Sequence, residues 1–349
     1  MQDRLTVLLV AFPFATVGPD AVGGAEQVVS ALDGALADAG HRSLVVACGG
    51  SSIRGTHIAI ETPPAGVRLD DAARAAVHQR MREAIGRVLE RKRVDLVHLH
   101  GVDFGAYLPP HGPPALATLH LPVAWYPPEA LRPGRERFFL HCVSEAQHRT
   151  APAGPGLLPP IPNGVPVEDL AAARHARRSF LLTLGRICPE KGQHIALEIA
   201  HAAGLPLLIG GAVFPYPAHQ DYFATRVRPL LDARRRFLGP VGHARKRRLL
   251  AAARCVLIPS LAAETSSLVA MEAAAAGTPA IAFAAGALPE TVEHGRTGFV
   301  VDGPDAMADA VRRAGTIDPE TCRATARARF DRATMTRRYL ALYRRLAAA

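Results

Sequence analysis

Lysine is almost missing from this chain. Of 41 basic residues in 349, three are lysine (Lys92, Lys191, Lys246) and the rest are arginine, and the net charge is +10. Aromatic residues make up 5% with a single tryptophan, so no stacking platform accompanies the arginines and nucleic acid is not the expected partner. No apolar run reaches the ~18 residues of a membrane span. The five cysteines (Cys48, Cys142, Cys188, Cys255, Cys322) are scattered, odd in number and without C-x-x-C spacing. That argues against a disulfide frame or a zinc site and for reduced thiols in a cytoplasm. The opening MQDRLTVLLVAFPF lacks a basic leader and a small-residue cleavage site and carries Asp3, so it reads as a first buried strand rather than a signal peptide. No G-x-G-x-x-G follows that strand, which speaks against a dinucleotide-binding dehydrogenase. No D-x-D stands in a loop suited to a metal.

What is present is an alternation. The length suggests two domains, and 49% hydrophobic with 21% charged residues suggests packed cores. Short apolar runs (5–12, 43–48, 95–100, 114–120, 138–145) alternate with helical periods over 24–40 and about 70–92. The stretch 151–170 is rich in Pro and Gly, with LLPPIP as a last edge strand. The alternation then restarts with strands at 180–185, 205–211, 235–241, 255–260, 278–283 and 297–302, and helices near 191–203, 243–253 and 268–276. Arginine-rich helical sequence from about 304 to 347 ends the chain. The expected fold is α/β: two facing Rossmann-like doubly wound parallel-sheet domains, 1–168 and 178–330, with an interdomain cleft. Residues 331–349 are expected to form a helix that packs back on the N-terminal domain.

Four segments fall just after predicted strands, where such sheets bind ligands. GRICPEKG (185–192) offers Arg186 as a planar fork for phosphate and Lys191 as a point charge. In LAAETSSLVAMEAAAAGTP (261–279), Ser266 or Ser267 can cap a helix whose N-terminus suits a phosphate, while Glu264 and Glu272 can accept sugar hydroxyls. VGGAEQVV (22–29) puts Gly23 and Gly24 at a helix start, allowing close backbone approach. His120 ends PALATLH. Each also has a plain reading: a solvated loop, a helix-dipole acid, a turn, a structural histidine.

Together, GGAE, the strand-ending His, IPNGVP, GRICPEKG, E-x7-E followed by EAAAAGTPAIAF, GALPETV and HGRTGFVVD resemble the family-4 retaining glycosyltransferases of the GT-B fold. The motifs keep the family's order over roughly 22–302. The resemblance implies a hexose-type sugar moved from a nucleoside-diphosphate donor, UDP favoured over GDP, to a hydroxyl acceptor of a glycan, lipid or small molecule. It implies retention, no cofactor and no essential metal. Arg186 and Lys191, with Gly185, would hold the diphosphate; Glu264 would bind the transferred sugar and Glu272 the ribose. Backbone amides at Ser267 and Leu268, and Gly24, would approach phosphate. His120 would contact the sugar, and Val241 would border the base. Glu264, His120, Arg186 and Lys191 are the catalytic candidates. Two departures stand out: Ser267 occupies a position usually glycine, and Leu121 follows His120 where an acid is frequent.

A degenerate GT-B protein that binds nucleotide or sugar without transfer is the alternative reading. Gly23, Trp125 and Tyr126 are the acceptor candidates, since aromatic faces with polar tips suit sugars. The arginines at 234–236 and the run at 245–248 read as solvated helix faces, with contact to anionic headgroups as the competing view. The expected location is cytoplasmic, with peripheral contact at the inner membrane face as an option.

Overall fold

The computed structural model describes residues 4–63 and 69–348. The chain divides into two compact units. Residues up to Pro162 together with those from Thr334 onward make the first, and Asn163–Ala333 make the second.

The first unit holds a seven-stranded, all-parallel sheet: β1 (Thr6–Val10), β2 (Arg42–Cys48), β3 (Thr56–Ile60), β4 (Leu96–Leu99), β5 (Ala115–Leu119), β6 (Phe138–Cys142) and β7 (Leu157–Leu158), in the order β3-β2-β1-β4-β5-β6-β7. The second holds six parallel strands: β8 (Leu181–Leu184), β9 (Leu207–Gly210), β10 (Arg235–Phe237), β11 (Cys255–Ile258), β12 (Ala280–Phe283) and β13 (Gly298–Val301), in the order β10-β9-β8-β11-β12-β13. Both sheets grow from their first strand to one side and then to the other. That reversal is the doubly wound topology, with switch points between β1 and β4 and between β8 and β11.

Both faces of each sheet are covered, which is why the strands read as unbroken apolar runs. Leu8, Val10, Val46 and Val97 enter one layer of the first unit, while Val7, Leu9, Val45 and Leu96 enter the other. In the second unit Leu182, Val256 and Ile258 alternate in the same way with Leu181, Cys255 and Leu257. Strand β3 was not anticipated. It is an edge strand paired only with β2, and Ile60 is its single buried residue, so it carries little apolar signal.

The segment 163–168 lies in the second unit rather than the first, because Val165 and Val167 pack with Leu170, Leu250 and Phe330 in that unit's core. The arginine-rich tail is three helices, Pro304–Arg313, Pro319–Arg329 and Arg332–Ala348. Asp318 starts the second of these by accepting hydrogen bonds from the amides of Glu320 and Thr321 at 3.3 and 2.8 Å, with Pro319 in the first turn. The last helix sends Met335, Tyr339, Leu342, Tyr343 and Leu346 into the layer beneath β1 and β2. Among the described residues no helix is long and apolar enough to cross a membrane.

Candidate active site

In the second unit the chemistry gathers at the switch point, where the loops after β8 and β11 leave the sheet. Backbone bonds set the β8 loop: Gly185 N–H donates to Gly210 O at 3.0 Å and Ile187 N–H to Ala212 O at 2.9 Å. Gly211 sits at φ +157°, and a Cβ there would lie 1.7 Å from Gly185 O, so only glycine fits this crossing. The β8 loop is also stitched to the β11 loop. Leu261 N–H donates to Glu190 O at 2.8 Å, and Gly192, at φ +63°, passes so close to Pro259 O that a Cβ would lie 2.2 Å away.

This stitching brings together two candidates far apart in sequence. Lys191 Nζ donates to Glu264 Oε1 at 2.5 Å, and Ser260 Oγ donates to the same oxygen at 2.5 Å. Glu264 is fixed from behind by the GALPETV loop, where Ala287 N–H donates to Glu264 O at 2.7 Å. Burial pushes the Glu264 carboxyl up, but Lys191, Ser260 and Arg186 outweigh it and hold the group below its ordinary range. It is therefore an ionised acceptor at neutral pH. Arg186 anchors its backbone through Gln193 Nε2, which donates to Arg186 O at 2.7 Å, while its guanidinium has no hydrogen-bond partner among the described residues.

Helix Leu268–Ala275 begins at the end of the β11 loop. Ser267 caps it, its Oγ accepting from Ala270 N–H at 3.3 Å, with φ −101° and ψ 91°. An L side chain takes that conformation without strain, so the serine is accommodated and works as a cap. Leu268 is buried at the first turn, where the helix's own amides lack carbonyl partners. Glu272 is buried, not solvent-facing, and its partner is Lys246, whose Nζ donates to Oε1 at 2.5 Å. Gly210 passes close beneath Val241, whose Cγ2 would lie 2.8 Å from an added Cβ.

Lys246 corrects the reading of 245–248 as a solvated face. Arg245 and Arg248 are exposed, but Lys246 turns in to Glu272 and Arg247 turns in to Asp169, which also holds His243. The clue was available: Lys246 is one of three lysines in a chain that otherwise uses arginine. At 234–236, Arg235 is likewise buried, bonded to Asp232 at 2.9 Å and to Ala200 O at 3.1 Å.

In the first unit His120 follows β5. Its backbone is clamped: Tyr126 Oη accepts from the amides of His120 and Leu121 at 2.8 and 3.2 Å. Gln147 Nε2 donates to Leu119 O and Leu121 O on either side, at 2.8 and 2.9 Å. His100 Nδ1 lies 3.0 Å from His120 Nε2, and His98 links Tyr343 Oη and Thr118 Oγ1, both at 2.7 Å. Burial lowers all of these imidazoles, His120 to about 4 and His141, behind them, to about 3. The cluster is neutral at physiological pH. His98 and His100 were not singled out from DLVHLH, though their i, i+2 spacing puts both on one face of the extended chain at the end of β4.

Tyr126 departs from its expected place. It is buried and spends its hydroxyl on the backbone around His120, so it positions that residue and presents no face for stacking. Trp125 beside it is 44% exposed. Gly23 is the N-cap of helix Gly24–Asp38 with no side-chain cap bond, and Gly24 is the first helical residue.

Similarity to known proteins bears on this geometry. A Glycosyltransferase Family 4 model matches residues 22–169, and a Glycosyl transferases group 1 model matches residues 178–315. D-inositol 3-phosphate glycosyltransferase of Mycobacterium bovis is 36% identical over 196 residues, 52% of this chain and 38% of that relative. The curated relatives are matched over 33 to 38% of their own length. AviGT4, a glycosyltransferase involved in avilamycin A biosynthesis, is 28% identical with a TM-score of 0.70, covering 99% of both chains. Anabaena HepE, solved in complex with UDP and glucose, is 20% identical with a TM-score of 0.71 over 97% of this chain and 99% of that one, a likeness of fold. With one family model on each unit, and with Lys191 and Glu264 brought together at one switch point, the chain belongs to the family-4 glycosyltransferases of the GT-B fold.

Proposed function

We propose that this chain is a retaining hexosyltransferase. It takes a nucleoside-diphosphate sugar, UDP favoured and GDP the alternative, and passes the sugar to a hydroxyl acceptor without an essential metal. The observation that carries the reading is the Lys191–Glu264 pair beside the guanidinium of Arg186, which has no hydrogen-bond partner among the described residues, all at the β8/β11 switch point. Two cations next to a capped helix N-terminus suit a diphosphate. As the glycosidic bond breaks, negative charge grows on the departing nucleotide, and Arg186, Lys191 and the amides at Ser267 and Leu268 stabilise it. Glu264, ionised and acceptor-only, takes hydroxyl donors from the hexose, and Glu272 takes them from the ribose. Gly185 lets the β8 loop approach the phosphates, and Val241 borders the base. In the first unit, Gly24 approaches phosphate and His120 contacts the transferred sugar. Its imidazole is neutral, so it serves as a hydrogen-bonding group and not as a cation.

UDP is favoured because HepE binds it, and the acceptor is proposed only as a hydroxyl because the relatives are named for different contexts. Trp125 and Gly23 are kept as acceptor contacts. Cytoplasmic placement, with peripheral contact to an anionic membrane, belongs to the same proposal.

The test is a thermal-shift series with UDP, GDP, ADP and dTDP, each with and without EDTA. Saturating one of them at about a hundredfold over its dissociation constant should stabilise the fold by ~2.7 kcal/mol. A shift from UDP that survives EDTA supports the reading. No shift from any of the four overturns it.

A further inference from the structure

The spacing of the cysteines along the chain argues against a metal, but the fold places three ligand types together. Cys188 Sγ, a Glu190 carboxylate oxygen and a His219 ring nitrogen lie within 4.8 Å of one another. No other group of three such side chains among the described residues meets that spacing. Cys188 and Glu190 come from the β8 loop, and His219 comes from helix Pro217–Tyr222 beyond β9.

We propose that Cys188, Glu190 and His219 form a divalent transition-metal site of the zinc type, with three protein ligands and a fourth position for water. Sulfur, nitrogen and oxygen together are the borderline-soft set that zinc accepts. Zinc bond lengths in a tetrahedron put ligand atoms roughly 3.3–3.6 Å apart, so loading needs only a small closure.

Each ligand is already held. His219 Nδ1 is buried with no hydrogen-bond partner, and its ring stands edge-on to Tyr216 at 5.2 Å and to Phe214 at 6.4 Å. The backbone of Glu190 is fixed by Leu261 N–H at 2.8 Å, and its carboxyl shares a hydrogen bond with the Cys188 thiol. Cys188 is 2% exposed, and burial pushes its thiol up to about 11, so the metal-free site keeps the proton. Loading forms the S–metal bond and releases that proton to solvent. The thiolate and carboxylate then balance the two positive charges. Arg186 acts on all three groups and opposes a cation, and the two anionic ligands offset it.

The site includes no side chain of the proposed donor-binding set. It clips the loop carrying Arg186 and Lys191 to the helix after β9, so metal binding does not depend on the donor reading and can be measured without a donor. The full-length chain, stripped with chelator and dialysed, is titrated with Co²⁺ alone. The expected result is one Co²⁺ per chain, with a near-ultraviolet thiolate-to-metal band and the visible bands of tetrahedral cobalt. Zn²⁺ then displaces it, measured against a competing chromophoric chelator. Cys188→Ser removes the thiolate band. Glu190→Gln and His219→Ala weaken zinc by more than the roughly 10–100-fold lost with an outer-shell partner. Thermal melts confirm that each variant folds, and the isosteric Glu190→Gln keeps the test decisive if Cys188→Ser does not. The absence of a stoichiometric thiolate band in the wild-type chain, or a band that persists in folded Cys188→Ser, overturns the proposal.

Discussion

Lys246 Nζ stands 2.5 Å from Glu272 Oε1, with 14% of the lysine side chain and 3% of the glutamate side chain exposed. A buried pair of this kind is far more costly to break than to replace. Removing one partner leaves an uncompensated charge in the interior, at about 3–5 kcal/mol. Lys246→Met should therefore destabilise the second unit by on the order of 3 kcal/mol. The double variant Lys246→Met/Glu272→Met should recover most of that loss. Urea melts of the two variants decide it; a double variant no more stable than Lys246→Met would show that the charge left on Glu272 costs nothing.

Arg186→Ala should leave the fold intact, since its guanidinium has no hydrogen-bond partner among the described residues. Transfer should fall by about 10²–10³-fold in kcat, the usual cost of losing one donor to developing charge. Initial rates with a nucleotide-sugar, alongside a thermal melt of the variant, separate the two effects.

Acid should unfold the first unit early. His98, His100, His120 and His141 take protons in the unfolded chain near 6.5, while in the fold His120 titrates at about 4, His141 at about 3 and the others well below 6.5. Between those values the unfolded state binds more protons, so stability is full above about pH 6.5 and is lost as pH falls towards 4. Each group contributes on the order of 1 kcal/mol per pH unit in that window. Melting temperature followed from pH 7.5 to 4.5 should fall steeply below 6.5, and less steeply in His100→Asn.

Ser267 offers a finer test. Its hydroxyl caps helix Leu268–Ala275. Ser267→Ala should cost about 1 kcal/mol, and Ser267→Gly only a few tenths, because glycine lets water satisfy the same amide. A larger loss for Ser267→Gly than for Ser267→Ala in denaturant melts would mean that packing of the Cβ, and not the cap, explains the serine.

The alternation of buried strands and amphipathic helices announced the two doubly wound sheets, because strands covered on both faces must be apolar throughout. The loops after β8 and β11 were legible for a related reason: Arg186, Lys191 and Glu264 are charges placed directly behind apolar runs. What escaped notice depended on tertiary pairing. Lys246 looked like one more basic residue in a run until Glu272 was seen facing it. Tyr126 looked like an exposed aromatic, but its hydroxyl bonds the backbone of His120. Cys188 and His219 belong to elements separated by β9, and no spacing rule along the chain joins them.

The first unit is not continuous in sequence. Its core includes Met335, Tyr339, Tyr343 and Leu346, from the last helix, packed with Val7, Leu9 and Val45. A ribosome delivers those residues after the whole of the second unit. The second unit, a single uninterrupted span, has its whole sheet available well before that. The N-terminal unit, usually the first to fold during synthesis, is here the one whose residues are completed second. The strands of the first unit stay partly uncovered until residues 335–346 emerge. Removing residues 335–348 would strip the last helix from a layer that helix Gly24–Asp38 also builds.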